Sequence, residues 1–174
     1  MRVHTLSYTI CICFISLASF AQKVGHVNTV RLIDSLNEAK QASTMLKQYD
    51  ASLTKTGEEM VNKYKEKLKK YQTDVKSGNL TAIQQKQMES DLEVDQNALS
   101  NYRQSAQASL EKRRQELIQP ILDKINKALQ EIGKEENYVF IFDNSVGILY
   151  FSDSEDISAK LYKKLGYKEE TKSE

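Results

Sequence analysis

Apolar residues recur at multiples of about three and a half positions in two long stretches of the chain, one on each side of Ser77-Gly78-Asn79. This spacing is typical of a coiled-coil seam, in which a narrow stripe of one helix packs against its partner. The seam positions are Val75, Tyr71, Leu68, Tyr64, Met60, Leu53, Tyr49 and Leu46 before the turn, and Leu80, Ile83, Met88, Leu92, Leu99, Tyr102, Ala106 and Leu110 after it. Positions equally distant from the turn, such as Leu53 and Tyr102, should face each other in an antiparallel helical hairpin.

We expect this hairpin to form an arm over residues 35–116, with its tip near 77–79. About forty residues per helix, at a rise of ~1.5 Å per residue, give a length of about 60 Å. Because the seam uses most of the apolar surface, the arm should project into solvent. Gly57 and Asp95 interrupt the seam. They are either tolerated imperfections or a softness that lets the arm bend.

The remaining segments predict a small body that contains β-strands. Residues 22–34 form the first body strand, and residues 117–174 form the rest. In that second part, YVFIFD and ILYFS flank a four-residue turn and predict a β-hairpin over 138–152. A terminal helix follows over 154–165, with Ile157, Leu161 and Leu165 on one face. The predicted fold is therefore α+β and mostly α: a long arm on a three-stranded body, with Pro120 near the junction.

A three-stranded sheet leaves two open edges, and YVFIFD is apolar on both faces. Sharing the sheet among several copies would cover both the edges and the faces. We therefore predict a homo-oligomer that forms through the strands. The interface candidates are Val24, Val27, Val30, Val139, Ile141, Ile148 and Tyr150.

The first 21 residues are typical of a secretory signal peptide that is cleaved after Ala21. Arg2 precedes an apolar run over 9–20 that is too short to span a bilayer, and Ser19 and Ala21 supply small residues at the cleavage site. An N-terminal membrane anchor is the alternative interpretation. Both cysteines, at positions 11 and 13, lie inside this peptide, so an exported mature chain would have neither disulfides nor thiol chemistry.

Charge narrows the range of partners. Loss of Arg2 would reduce the 25 basic residues by one, to equal the 24 acidic residues. A neutral, exported chain argues against a nucleic-acid binder. The arm nevertheless carries a lysine run, from which Lys63, Lys67 and Lys70 are candidate contacts for acidic partners or lipid head groups. A solvated helix face is the simpler interpretation of this run.

The sequence contains no motif that predicts an enzyme. It lacks GxxxxGK[ST], GxGxxG, HExxH and GxSxG. His26 would be the one histidine of the mature chain, and we expect a structural role for it. Ordinary turn chemistry accounts for Asp143-Asn144-Ser145. We predict no catalytic site, cofactor or metal.

With these segments in place, the chain resembles the Skp/OmpH family of periplasmic chaperones. The resemblance covers nearly the whole mature chain. It is carried by KVGHVNTVRLI, by KSGN at the tip, by EKRRQELIQPILDKINKALQEIGKEENYVFIFD and by SEDISAKLYKKLG. It implies a homotrimer whose strands form a small barrel and whose three arms surround a cavity. It also implies an ATP-independent periplasmic holdase for unfolded outer-membrane β-barrel proteins, and for some members lipopolysaccharide binding. Well-known members are strongly basic, whereas this mature chain is neutral.

Two other functions remain open at this stage: a structural adapter of the cell envelope, and a lipopolysaccharide or membrane-surface binder. A holdase that works without nucleotide needs many weak contacts rather than one strong site. Tyrosines suit such contacts because their rings are apolar and their hydroxyls polar. The candidate client-contact residues on the arm are Tyr49, Tyr64, Tyr71 and Tyr102. Packing within the seam is the simpler role for these four side chains.

Overall fold

The computed structural model describes residues 23–167, which fold into two compact units. The strand unit holds the described residues up to Leu32 and those from Ile125 onward, and the hairpin unit is Ile33–Lys124. The predicted signal peptide lies outside the described residues. No helix within 23–167 is long and apolar enough to cross a bilayer.

The chain is mostly helical, as predicted. The elements in order are β1 (Lys23–Val27), α1 (Thr29–Ser35), α2 (Asn37–Lys76), α3 (Ala82–Glu135), β2 (Tyr138–Asp143), a short 3-10 helix (Asp153–Glu155) and α4 (Ser158–Lys164). α3 continues through Pro120 without a break. At its end Asn137 has a φ of 57°, the left-handed conformation in which helices commonly end.

The first strand is shorter than predicted. It ends at Val27, and α1 begins two residues later, so Val30 lies in a helix and not in a strand. Asn28 explains the change, because its side-chain Oδ1 accepts a hydrogen bond of 2.9 Å from the Arg31 N–H and caps the helix. Asn28 is therefore a helix-start signal in the sequence, and it outweighs the apolar pattern that predicted a longer strand.

The predicted β-hairpin over 138–152 is wrong. β2 pairs in parallel with β1, with Val24 opposite Phe140, and residues 148–152 form no strand. The reason lies at the end of β2, where the Asn144 N–H donates 3.0 Å to the Val27 carbonyl and fastens the chain to β1. The described sheet therefore has two strands, with one further backbone bridge between His26 and Asp156.

The strand unit packs around β1. Its buried apolar residues are Val27, Leu32, Ile125, Ala128, Ile132, Ile157, Leu161 and Leu165. Ile157 and Leu161 are fully buried, which confirms the predicted face of the terminal helix. That helix begins at Ser158 rather than 154, because residues 153–155 form a separate turn of 3-10 helix. The buried set shows that both ends of the described chain contribute to one core.

The hairpin unit confirms two long antiparallel helices joined at the predicted turn. Gly78 at the tip has a φ of 67°, a conformation that favours glycine. Thr81 then starts α3 through a capping box with Gln84, in which each residue's backbone N–H donates to the other's side-chain oxygen, at 2.9 and 3.3 Å. These two devices fix where one helix ends and the next begins.

The packing of the hairpin is shallow. Its buried residues, Leu36, Ala39, Ala42 and Ile121, all lie at the end away from the tip. None of residues 43–120 is buried, although all of them are described. Most seam residues are half-buried, whereas Val75 and Ile83 near the tip are 41% and 82% exposed. The helices therefore contact one another along a narrow, partly wet seam.

Candidate binding surfaces

An apolar patch lies on the strand unit, along β2 and the segment that follows it. Two of its rings, Phe140 and Phe142, stack with their centroids 5.9 Å apart. Exposed apolar surface of this extent marks a site of interaction. We use the name apolar patch for the exposed residues on both faces of β2 and in the segment after it: Val139, Phe140, Phe142, Val146, Leu149, Tyr150 and Phe151, with exposures between 41% and 101%.

The seven predicted interface residues fall into three groups. Val139 and Tyr150 belong to the apolar patch, and Val30 is exposed on α1. Half-buried positions are occupied by Val24, Ile141 and Ile148. Val27 is only 1% exposed and packs inside its own chain. Sequence patterns had not singled out Phe140, Phe142 or Leu149, although YVFIFD is apolar on both faces.

β2 offers backbone as well as side chains to a partner. It is the edge strand of the described two-stranded sheet, so one of its edges pairs with β1 and the other has no strand beside it within 23–167. An open edge next to exposed apolar residues is a ready template for pairing with another chain.

A cluster around Glu136 connects residues from both ends of the strand unit. The Glu136 carboxylate accepts hydrogen bonds from Lys160 at 2.5 Å and from Lys23 at 2.9 Å. Both hydrogen bonds hold the pKa of Glu136 below its usual range, and the bond from Lys160 has the larger effect. The Lys23 ammonium also lies 4.1 Å from the centre of the Tyr138 ring. β1, α4 and the start of β2 are thereby tied to one carboxylate.

His26 has the structural role expected from the sequence. It is 4% exposed, and its Nδ1 accepts a 2.9 Å hydrogen bond from the Asn144 amide. Its Nε2 therefore carries the proton and donates to the Ser152 carbonyl at 2.9 Å. Both ring nitrogens are occupied within the chain. No cluster of His, Cys, Asp or Glu among the described residues could hold a metal ion.

Asp143 anchors the turn after β2. Its carboxylate accepts hydrogen bonds from the Thr29 N–H and hydroxyl and from the Ser145 N–H and hydroxyl. Partial burial raises the pKa of Asp143, but these hydrogen bonds outweigh it and hold the pKa below its ordinary value. The constellation is turn chemistry that joins β2 to α1, as the sequence suggested for this tripeptide.

The lysine run on α2 is exposed along its whole length. It consists of Lys63, Lys65, Lys67, Lys69, Lys70 and Lys76. Of the three candidate contacts, Lys67 binds Asp95 across the hairpin at 2.6 Å. Lys63 and Lys70 show no ion pair within the described part of the chain. Two of the three cations are therefore available to a partner.

The four arm tyrosines all lie half-buried in the seam. The Tyr71 hydroxyl donates to Glu89 at 2.5 Å, and that bond raises the pKa of Tyr71 and lowers the pKa of Glu89. The Tyr102 hydroxyl donates to the Leu53 carbonyl at 2.7 Å. Two of the four therefore link α2 to α3, which agrees with the simpler packing role.

The predicted pairing of Leu53 with Tyr102 is confirmed by their hydrogen bond, whereas other side chains reach residues about one turn away from their predicted partners. Equal distances from the tip place Gly57 opposite Leu99, but its close neighbour is the ring of Tyr102. Tyr71 likewise reaches Glu89 rather than the level of Gln84. These side chains are long enough to reach across one turn of helix. Asp95 occupies a half-buried seam position because Lys67 reaches it.

An open groove of about 690 Å³ lies between the two helices around Gly57. Its floor contains apolar side chains from both helices, including Leu53, Val61, Leu99 and Ala106. A Cβ atom at position 57 would lie 3.3 Å from Cε1 of Tyr102. Glycine therefore lets the tyrosine ring lie against the backbone of α2. Tyr102 lies opposite Leu53, as the sequence predicted, and its ring reaches Gly57 one turn further along α2.

These features define a class of protein: a long helical hairpin attached in sequence to a small parallel sheet that bears an apolar patch. The OmpH family model, described as outer membrane protein (OmpH-like), matches residues 23–165. The chain therefore belongs to the OmpH-like family, as the resemblance indicated.

A solved structure has the same fold. It is the crystal structure of a candidate outer membrane chaperone (OmpH-like) from Caulobacter crescentus CB15. The two share 16% sequence identity, with a TM-score of 0.70 over 83% of each chain. No curated protein matches this sequence closely enough to count as a relative.

Proposed function

We propose that the protein is an ATP-independent periplasmic holdase that binds unfolded outer-membrane β-barrel proteins in a cavity between the arms of a trimer. The observation that carries the proposal is the long hairpin in which none of residues 43–120 is buried. A structure of this kind has little core of its own and a large surface for contacts. Membership of the OmpH-like family supports a chaperone role for it.

The apolar patch supports assembly through the strand unit. Leu149 is 101% exposed and Tyr150 87%, which is costly for a chain that stays alone in water. Each buried Å² of apolar surface contributes roughly 25 cal/mol, so a partner that covers the patch gains several kcal/mol. A second copy of the chain fits, because it would bring the same patch and the same open edge of β2. The proposal of three copies in the oligomer rests on the family resemblance.

Client binding would be the sum of many weak contacts. The groove around Gly57 and the half-buried seam offer scattered apolar surface, and the exposed lysine run adds positive charge on the same hairpin. Several arms around one client raise the effective concentration of each contact, so retention does not need a strong single site. Release then needs no nucleotide, since every contact breaks easily. Export through the predicted signal peptide would place this activity in the periplasm.

Suppression of aggregation tests the proposal directly. A urea-unfolded outer-membrane β-barrel protein is diluted into buffer without nucleotide, and light scattering is followed against chaperone concentration. We expect suppression that saturates near one oligomer per client, with sedimentation of the same sample to show that the oligomer is intact. An intact oligomer that leaves scattering unchanged would overturn the holdase proposal.

One observation favours a second activity. Lys63 and Lys70 are exposed and have no ion pair among the described residues, which suits lipopolysaccharide phosphates or an anionic membrane surface. Co-sedimentation with vesicles of anionic lipid distinguishes this lipid-binding activity from the holdase activity. Binding that is lost in Lys63→Gln/Lys70→Gln, while aggregation suppression persists, would show a separate surface for lipid.

A further inference from the structure

Several features that weaken a helix coincide in one short segment of α2. Ser52 donates its hydroxyl to the Tyr49 carbonyl at 2.7 Å, and Thr56 donates to the Ser52 carbonyl at 3.1 Å. Side-chain hydroxyls that bond back to the preceding turn compete with the helical hydrogen bonds and often bend helices. Gly57 follows directly, and a glycine inside a helix is about 1 kcal/mol less favourable for helix formation than an alanine.

A donor from the opposite helix enters at the same level. The Leu53 carbonyl is the helical acceptor for the Gly57 N–H, four residues on. It also accepts the Tyr102 hydroxyl at 2.7 Å. A carbonyl oxygen has two lone pairs, so Leu53 can accept both hydrogen bonds, and the second one ties this level of α2 to α3. The Tyr102 ring can approach because residue 57 has no side chain.

The coincidence is specific to this segment. Thr44 and Thr73 bond back to Lys40 and Lys69 at 2.9 Å in the same way as Thr56. At neither place does a glycine or a donor from the other helix join them among the described contacts. Toward the tip, the hairpin is linked by Lys67–Asp95 and Tyr71–Glu89. Residues 52–57 lie between these links and the buried end of the hairpin unit, beside the open groove.

We propose that residues 52–57 are a hinge in α2 and that Tyr102 is its latch. With the latch closed, the hydroxyl holds Leu53 and the ring covers the backbone at Gly57. With the latch open, α2 bends at the hinge and the groove beside it widens. The proposal concerns the hairpin itself and holds whether or not the protein is a chaperone.

Hydrogen exchange of backbone amides tests the hinge, because it measures local opening segment by segment. The test uses the full chain with Cys11→Ser and Cys13→Ser. In Tyr102→Phe, exchange in residues 53–61 should become about two- to tenfold faster, the range expected for one hydrogen bond. Residues 67–75 of the same helix should keep their rates. Tyr64→Phe, which removes a hydroxyl from another seam tyrosine, is the matched control and should change neither segment.

A second variant changes the hinge in the opposite direction. Ser52→Ala/Thr56→Ala removes the competing hydroxyls and inserts the best helix-forming residue, so exchange in 53–61 should slow about two- to tenfold. Thr73→Ala makes the same chemical change outside the hinge and should leave residues 53–61 unaffected. Two results would overturn the proposal: equal acceleration of 53–61 and 67–75 in Tyr102→Phe, or no change in 53–61 in both hinge variants.

Discussion

Lys67 and Asp95 form a 2.6 Å ion pair across the hairpin, at a level where the sequence suggested a defect in the seam. Their side chains are 55% and 30% exposed, so water and salt screen the pair. The acidic residue is therefore not an unsatisfied group in an apolar seam. It is half of a link that stabilises the outer part of the arm.

This pair should be weak and sensitive to salt. A double-mutant cycle with Lys67→Ala and Asp95→Ala should give a coupling free energy of about 0.2–1 kcal/mol, measured by urea unfolding at low ionic strength. The coupling should shrink in 1 M salt, where the Debye length falls to about 3 Å. Lys63→Ala with Asp95→Ala is the control pair and should show no coupling. A coupling that salt leaves intact would contradict the screened geometry.

The Glu136 cluster should make the strand unit sensitive to acid. Hydrogen bonds from Lys160 and then from Lys23 hold the pKa of Glu136 in the folded chain below its ordinary value. A carboxylate whose pKa is lowered by folding stabilises the fold fully at pH values above its unfolded pKa. That contribution is lost as the pH falls through its folded pKa. Glu136→Gln should therefore cost stability at neutral pH and reduce the loss of stability below about pH 4.5.

Thermal unfolding at a series of pH values measures this effect. Glu155→Gln is the control, because Glu155 is exposed and forms no ion pair among the described residues. This control should leave the pH profile of the wild type unchanged. If Glu136→Gln and the wild type lost stability in parallel between pH 5 and pH 2, a role for this carboxylate in acid sensitivity would be excluded.

Two glycines give opposite predictions for the same substitution. A Cβ atom on Gly25 would lie 2.9 Å from Cε1 of Tyr138 and 3.0 Å from Cγ2 of the fully buried Ile157. Gly25→Ala should therefore destabilise the fold by about 1–3 kcal/mol through overpacking. Gly133 lies inside α3, where its nearest contact would be Ile141 at an ordinary 3.8 Å. Gly133→Ala should stabilise by about 0.5–1 kcal/mol. Urea unfolding of both variants checks the opposite signs.

The apolar patch should control assembly. Leu149→Lys/Tyr150→Lys puts charge on two of its most exposed residues and should shift the sedimentation of the proposed oligomer toward the monomer. Val94→Lys changes a residue that is 62% exposed on the arm and should leave the sedimentation unchanged. Circular dichroism should show the same helix content in both variants. An unchanged oligomer in the patch variant would move the interface elsewhere.

The helical part of the fold follows from the sequence because its signals are local. The seam spacing, the Ser77-Gly78 turn and the face of Ile157, Leu161 and Leu165 each involve residues within a few turns of one another. The strand pairing does not follow. Lys23 pairs with Tyr138 across the entire hairpin, and the turn residues after β2 suit a β-hairpin equally well.

The predicted interface residues show the same contrast between what the sequence predicts and what long-range packing decides. Exposure of Tyr150 and Val139 agrees with a surface role, whereas Val27 has the same apolar character and is buried. The pattern of apolar residues along a strand does not show whether a face packs against its own chain or against another chain. Likewise, the spacing of Gly57 and Tyr102 does not show that they meet, because the direction that the long tyrosine side chain takes along the helix decides the contact.

The pairing of β1 with β2 sets an order of events during folding. β1 has no strand partner until the chain has been extended beyond Tyr138, and His26 bonds to Ser152 later still. The helices between them can form from local contacts in microseconds, whereas closing so long a loop is slow. A hairpin that forms first shortens that loop, because its two ends become neighbours before the strands meet. The arm would then act as a template for folding of the strand unit, and a chain truncated before Tyr138 would leave β1 without its strand partner.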